Sequence, residues 1–171
     1  MDKRNVIDAY KGIPTDEIKT RLDASRSELH IAIENLERDF NMGTIVRTAN
    51  AFNIEAIHIV GKKQWNKRGA MATDLYMNIF YYQNIADFQA ATKGRHIIGI
   101  DNVEGSVPLT GVRLPKDSVL VFGSEKSGLS DEMIRYCESI VKIEQFGSTR
   151  SLNVGVASGI AMYTWMQRNL L

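Results

Sequence analysis

Cys137 is the sole cysteine, so no internal disulfide framework is possible, and the chain suits a reducing compartment. Proline occurs three times, and no Pro/Gly-rich linker, repeat or low-complexity stretch marks an internal boundary. The three histidines, His30, His58 and His96, are scattered, and none has a partner at metal-ligand spacing; no metal site is expected. An excess of one charge is also missing. Lys plus Arg number 21 against 20 Asp plus Glu, a net +1, so any surface basic enough for nucleic acid has to be local. No apolar run approaches the roughly 20 residues needed to cross a bilayer. The first residues, MDKRNVIDAYKG, are too charged for a signal peptide. A cytoplasmic protein without a membrane partner is expected. Its 171 residues, 44% of them hydrophobic, fit one domain with a proper core.

What the chain has is a series of short apolar runs: Leu29–Ile33, Ala56–Val60, Ile79–Tyr82, His96–Ile100, Val119–Phe122 and Ile140–Ile143. Runs without polar alternation fit strands covered on both faces, hence a parallel sheet. Helical patterns lie between several of them. Thr44–Phe52 places Ile45, Ala49 and Phe52 on one face and Thr44, Arg47 and Thr48 on another. Asn84–Thr92 is a second helix. Ser130–Glu138 is a third, with Ser130 as N-cap and Met133 and Ile134 facing inward. A last helix runs from about Leu152 to the C-terminus, and a short one near Asp16–Leu22, capped by Thr15, precedes the sheet. Strand–helix alternation predicts an α/β sandwich in one domain. Ligands of such sheets bind beyond the carboxyl ends of the strands. That singles out the loops after Ile33, Ile100, Phe122 and Ile143.

Three constellations fall on or near those loops. In ENLERDFNMGTIVRTANAFNI, residues 34–54, Asn41 can cap a helix, Gly43 permits close approach and Arg47 follows two turns in. The plain reading is a capped helix with one solvated arginine. The sharper one aims Asn41 and Arg47 at the carboxyl edge of the sheet, where the guanidinium fork suits phosphate or carboxylate. In SVLVFGSEKSGLSDE, residues 118–132, Gly123 and Gly128 allow a tight turn and close ligand approach. The Lys-Ser/Thr pair and spacing of a P-loop are missing, and Glu125 would repel phosphate. A nucleotide phosphotransferase using magnesium is therefore disfavoured. Glu125 suits a nucleoside hydroxyl or an arginine that must be held, or is simply an exposed turn residue. In EQFGSTRSLNVGVASGIAMYTW, residues 144–165, a Gly-Ser-Thr loop leads to Arg150, Ser151 and Asn153 at a helix mouth. Gly155, Ala157, Gly159 and Ala161 then form a small-residue face for close packing, either within the chain or between two copies. Separately, Lys62, Lys63, Lys67 and Arg68 surround Trp65 in GKKQWNKRGAMATD. This is either a solvated loop or a backbone-and-stacking surface for RNA, and Arg150 is read with it as RNA-facing.

Taken together, these stretches resemble the three motifs of the SpoU (TrmH-like) branch of the SPOUT RNA methyltransferases. Asn41, Gly43, Arg47 and Thr48 match N-x-G-x-x-x-R-T; Gly123, Glu125, Gly128, Leu129 and Ser130 match G-x-E-x-x-G-[LI]-S; Ser151, Leu152, Asn153 and Val154 match S-[LM]-N-[VL]. The likeness covers residues 29–171 and leaves 1–28 as an N-terminal segment. It implies a parallel-sheet sandwich with a C-terminal deep trefoil knot, S-adenosylmethionine as cofactor, and a homodimer with the active site between subunits. The implied reaction is methylation of a ribose 2′-hydroxyl in RNA, tRNA favoured and rRNA possible. A catalytically silent RNA-binding module of the same fold is the alternative. By position, Arg47, Asn41, Glu125, Ser151 and Asn153 would be catalytic. Ile100, Phe122, Gly123, Gly128, Ile143, Ser151 and Leu152 would hold the cofactor. The dimer would account for the small-residue face of the last helix. The chain departs from the family where IEQFGSTRS lacks the proline that many members carry after the isoleucine. The RNA-binding extensions of many members are not seen.

Overall fold

The computed structural model describes residues 4–35, 41–124 and 126–171, the side chain of Asn35 apart. Strands β1 (Ser27–Asn35), β2 (Ile54–Gly61), β3 (Ile79–Tyr82), β4 (His96–Ile100), β5 (Val107–Pro108), β6 (Ser118–Phe122) and β7 (Ser139–Lys142) form, among these residues, one seven-stranded sheet. Its order is β3-β2-β1-β6-β4-β7-β5, and every pairing is parallel. β6 therefore lies between β1 and β4, and the chain has crossed the sheet before β4 forms. The helices are α1 (Thr15–Asp23), α2 (Met42–Ala51), α3 (Ile85–Ala91), α4 (Asp131–Tyr136) and α5 (Val154–Asn169).

The period of two along each strand divides the core into layers. Leu29, Ile31 and Ile33 of β1 join Ile45, Val46 and Ala49 of α2 and Met162 and Trp165 of α5. On the other face, Ala32, Val119 and Val121 meet Phe88 of α3 and Met133 of α4. Slipping β1 by one residue would exchange these sets, so two-sided burial fixes the register. Cys137 packs against the second layer, where burial and then the charge of Glu34 push its thiol up to about 12. It is an inert thiol at neutral pH.

The predicted strands and helices are present, with differences at the ends. β5 carries no apolar run and was not predicted. Thr15 is the first residue of α1, whose N-cap is Pro14 with no side-chain cap bond. Ser130 does cap α4, its Oγ accepting from Met133 N at 3.1 Å, but α4 ends at Tyr136. Asn41 occupies the N-cap of α2 without a side-chain cap bond, for a reason that lies on α5. The glycines of α5 serve a crossing within the chain. A Cβ on Gly155 would lie 3.1 Å from Thr44 Cγ2, and one on Gly159 would lie 3.8 Å from Thr48 Cγ2, so α2 fits against α5 there.

Candidate active site

Three strand ends build the floor. β4 ends at Ile100, and Asp101 follows; β6 ends at Phe122, and Gly123 follows; β7 ends at Lys142, and Ile143 follows. Ser124 and Gly128 close a small antiparallel bridge, with Ser124 N donating to Gly128 O at 3.1 Å and Gly128 N donating to Ser124 O at 2.9 Å. The two glycines here are needed for different reasons. A Cβ on Gly123 would lie 2.1–2.3 Å from Gly128 C, Gly128 O and Leu129 N, inside the backbone of its own turn. The close approach is thus to the chain itself, where the sequence reading expected a ligand. Gly128 has φ +69, and a Cβ there would also meet Asp101 Oδ2 at 2.4 Å.

Two carboxylates, at the ends of the strands on either side of β6, hold this turn. Asp101 Oδ2 accepts from Leu129 N at 2.8 Å, and Asp101 Oδ1 accepts from Asn102 N at 2.6 Å. Glu34, only 2% exposed at the end of β1, accepts from Ser130 N at 2.8 Å and from Ser130 Oγ at 2.5 Å. A buried carboxylate without donors would be costly, and charge-assisted bonds of this kind are each worth roughly 1.5–3 kcal/mol. The glycine turn is therefore set by the sheet and not by its own sequence alone.

The roof comes from the segment before α5. Asn102 Nδ2 donates to Arg150 O at 3.2 Å, placing the loop that leads to Ser151 and Leu152 above the strand ends. Asn153 then starts the helix, its Oδ1 accepting from Gly155 N at 3.0 Å and Val156 N at 3.3 Å. Its Nδ2 donates to Asn41 Oδ1 at 2.9 Å, which explains why Asn41 does not cap α2.

Floor and roof enclose a cavity of about 330 Å³. All seven residues predicted for the cofactor line it: Ile100, Phe122, Gly123, Gly128, Ile143, Ser151 and Leu152. A larger cavity, about 690 Å³, lies at the amino ends of β4 and β7 beside His96 and Ser139. Size alone would choose that one; the carboxyl-end rule for parallel sheets chooses the smaller. Of the predicted catalytic residues, Ser151 lines the cavity and Asn153 lies between two residues that line it, Leu152 and Val154. Asn41 is tied to Asn153. Arg47 is exposed on α2 and does not line the cavity. Glu125, and with it the predicted contact to Arg47, lies outside the described residues. Arg150, predicted to face RNA, is exposed and also lines the cavity. The other predicted RNA residues lie on the segment between β2 and β3. Lys62, Lys63, Lys67 and Arg68 are exposed, and Trp65 is half-buried against the main core.

Sequence reasoning missed Asp101, Lys126 and Gln145, which also line the cavity, and Glu34 behind it. Asp101 directly follows a predicted strand, so the strand-end rule could have found it. Gln145 Oε1 is buried and has no hydrogen-bond partner among the described residues.

The SpoU rRNA Methylase family model matches residues 28–163. The chain belongs to the SpoU methylase family. A tRNA (guanosine(18)-2′-O)-methyltransferase of Borreliella burgdorferi is 26% identical over 163 residues, covering 90% of this chain and 75% of that protein. An AdoMet-bound rRNA methyltransferase from Sinorhizobium meliloti superposes with TM-score 0.76 at 26% identity, covering 88% of this chain and 61% of that one. A structure described by the 2-OH methylation of C/U34 on tRNA superposes with TM-score 0.74 at 26% identity, covering 82% of this chain and 95% of that one. This SpoU methylase chain thus spans between about three fifths and nearly all of the length of these three proteins.

Proposed function

We propose that this chain is an S-adenosylmethionine-dependent methyltransferase acting on a ribose 2′-hydroxyl of tRNA, and that it works as a homodimer. The observation that carries the reading is the hydrogen bond between Asn41 and Asn153, which joins the first and third motif segments at a cavity built on the second. The relatives supply the reaction class: one is named for 2′-O-methylation of guanosine 18 in tRNA, and one structure concerns position 34 of tRNA.

The residues present fit the cofactor. The cavity has nucleoside dimensions, Ile100, Phe122, Ile143 and Leu152 offer apolar walls, and the buried Gln145 Oε1 offers an acceptor that none of the described residues uses. When bound, the cofactor supplies an electrophilic methyl group on a sulfonium. The chain's own task is to position the hydroxyl and manage its proton. Asn41 and Asn153, fixed to each other, orient the ribose, with Ser151 beside them at the cavity wall. A guanidinium carries donors and no acceptor, so Arg47 is not the base. It binds the adjacent RNA phosphate and stabilises the negative charge that develops on the ribose oxygen, with phosphate or water accepting the proton. Arg150, together with the Lys62–Arg68 segment, faces the RNA backbone.

A second copy of the chain would cover the exposed apolar stripe Val156, Ile160 and Tyr163 on α5. The C-terminal part is read as threaded into a trefoil knot. The insertion of β6 between β1 and β4, and the clasp of the glycine turn by Glu34 and Asp101, support that reading. Residues 29–171 are taken as the methyltransferase unit and 1–28 as an added segment. The family match from residue 28 supports that division.

The test is methyl transfer from labelled cofactor into purified tRNA and rRNA, with nucleoside mass spectrometry of the products. One 2′-O-methyl nucleoside in tRNA is expected, and mapping it distinguishes positions such as 18 and 34. Cofactor-independent RNA binding without transfer would instead identify a silent binding module. Arg47→Lys keeps the charge and loses the fork. Its single-turnover rate at saturating cofactor should fall at least about tenfold, and a wild-type rate would remove the fork from the mechanism.

A further inference from the structure

The segment between β2 and β3 does more than carry basic residues. Tyr81, in the edge strand β3 and 38% exposed, lies beside Trp65, whose Nε1 donates to the Tyr81 hydroxyl at 3.4 Å. Two cations stand on the rings: Lys63 Nζ is 5.2 Å from the Tyr81 centroid, and Lys67 Nζ is 5.6 Å from that of Trp65. Lys67 is also held by Asp74 at 2.7 Å. The patch meets α2 backbone to backbone. A Cβ on Gly43 would lie 2.7–2.9 Å from Ala70 N and Gly69, and one on Gly69 would lie 3.1 Å from Thr44 N. Gly43 is in the first turn of α2, two residues after Asn41 and one turn before Arg47. The aromatic pair therefore has a fixed place relative to the residues that would orient the ribose.

We propose that Trp65 and Tyr81 form a stacking platform for an unpaired base close to the methylated nucleotide, so that the substrate is a single-stranded loop segment and not a duplex. This rests on the RNA reading above and adds what kind of RNA the site accepts. Paired bases have no free faces to offer an aromatic ring, whereas splayed loop bases do. The ammonium groups now on the rings do not block the site. An exposed cation–π contact is worth about two- to fivefold in affinity, and a stacked base about five- to a hundredfold. A base thus displaces the lysines from the ring faces, and the flexible amines turn to the flanking phosphates.

The chain provides its own reporter. It has two tryptophans; Trp165 is fully buried, and Trp65 is the half-exposed one. Titration with single-stranded oligoadenylate of about a dozen nucleotides should quench Trp65 fluorescence, and an RNA duplex of equal length should bind without that quenching. Tyr81→Leu should weaken single-strand binding about tenfold and leave duplex and S-adenosylmethionine affinity unchanged, and Trp65→Leu should weaken single-strand binding by a similar factor. Trp65→Phe, which keeps a stacking ring and the packing of this half-buried side chain, should retain most of the affinity. Equal quenching by strand and duplex, or wild-type single-strand affinity in Tyr81→Leu, would overturn the platform. Absence of methyl transfer to any RNA would instead count against the enzymatic reading, and leaves the quenching result to stand or fall separately.

Discussion

Asn153 Nδ2 donates to Asn41 Oδ1 at 2.9 Å, while Asn153 Oδ1 accepts from two amides in the first turn of α5, Gly155 N and Val156 N. One amide side chain thus does two jobs with its two ends, and substitutions can separate them. Asn153→Asp keeps an oxygen for the cap and adds charge favourable to a helix N-terminus, but it has no donor for Asn41. Asn153→Ala loses both. Thermal unfolding should show Asn153→Asp within about 0.5 kcal/mol of wild type and Asn153→Ala lower by about 1 kcal/mol. Methyl transfer should fall in both. Full activity in Asn153→Asp would show that the bridge to Asn41 plays no part in positioning.

Gly123 offers a sharper contrast. Its Cβ would enter the backbone of Gly128 and Leu129, which cannot yield as a side-chain tip would. Gly123→Ala should therefore lose cofactor binding and several kcal/mol of stability, as overpacking against backbone does. Gly147, in the loop before α5, has nothing within 4 Å of its Cβ position. Gly147→Ala should bind cofactor and unfold as the wild type does. Calorimetric titration and thermal melts of the two variants make the comparison.

These two glycines show what could be read from the chain and what could not. Each sits in a loop after a strand, Gly123 after β6 and Gly147 after β7, and the strand-end rule directs attention to both loops. That Gly123 must be bare because Gly128 passes over it is a tertiary fact with no local signature. Glu34 and Ser130 are likewise 96 positions apart, and an acidic residue at a strand end looks like an ordinary exposed one. The strands were legible because burial on both faces leaves apolar runs. Ile79–Tyr82 and His96–Ile100 have the predicted bounds, whereas Val107–Pro108 is too short and too polar in context to register. The small residues of α5 were legible as a close-packing face, but spacing alone did not say whose backbone would approach. The structure puts Thr44 and Thr48 against Gly155 and Gly159.

Gln145 occupies the segment where the sequence departs from its family, and its Oε1 is buried beside the cavity without a partner among the described residues. Leaving a buried acceptor unmatched costs about 1–3 kcal/mol. A bound cofactor that donates to it recovers that cost. Gln145→Met, of similar size and without the acceptor, should leave the apo protein as stable or more so and weaken S-adenosylmethionine binding about five- to tenfold. Calorimetry at matched temperature checks both halves, and unchanged affinity would mean that the oxygen meets no ligand donor.

With the glycine face of α5 occupied by α2, the surface left for a second copy is Val156, Ile160 and Tyr163, spaced four and three residues apart on one exposed stripe. A charge at its centre should prevent association without disturbing the core. Ile160→Lys is expected to run as a monomer in light scattering where the wild type runs as a dimer, with unchanged circular dichroism. If the active site needs both copies, its methyl transfer should fall as well. A dimeric Ile160→Lys would place the interface elsewhere.

A final expectation concerns acid. His30 Nδ1 and His58 Nε2 are 2.8 Å apart, and His58 Nδ1 is 3.0 Å from the Tyr82 hydroxyl, in the layer covered by Phe88. Burial, and then the charge of Arg95, lowers His58 to about 4; the same causes, joined by His58, lower His30 to about 3. In the unfolded chain both titrate near 6.5, so on acidification the unfolded state takes up protons first. The stabilisation is complete above that value and is lost as pH falls from 6.5 toward the folded-state values. His96 works in the other direction. Its hydrogen bond to Glu138 raises its pKa, so its contribution is present at low pH and lost as pH rises, but it is exposed and counts for little. Urea midpoints should therefore be flat above about pH 7 and drop steadily toward pH 5, with a slope for His58 approaching about 1.4 kcal/mol per pH unit. The double variant His30→Gln/His58→Gln should be less stable at neutral pH and nearly flat over the same range. A wild-type midpoint that does not move between these values would mean that the pair is solvated or already protonated in the fold.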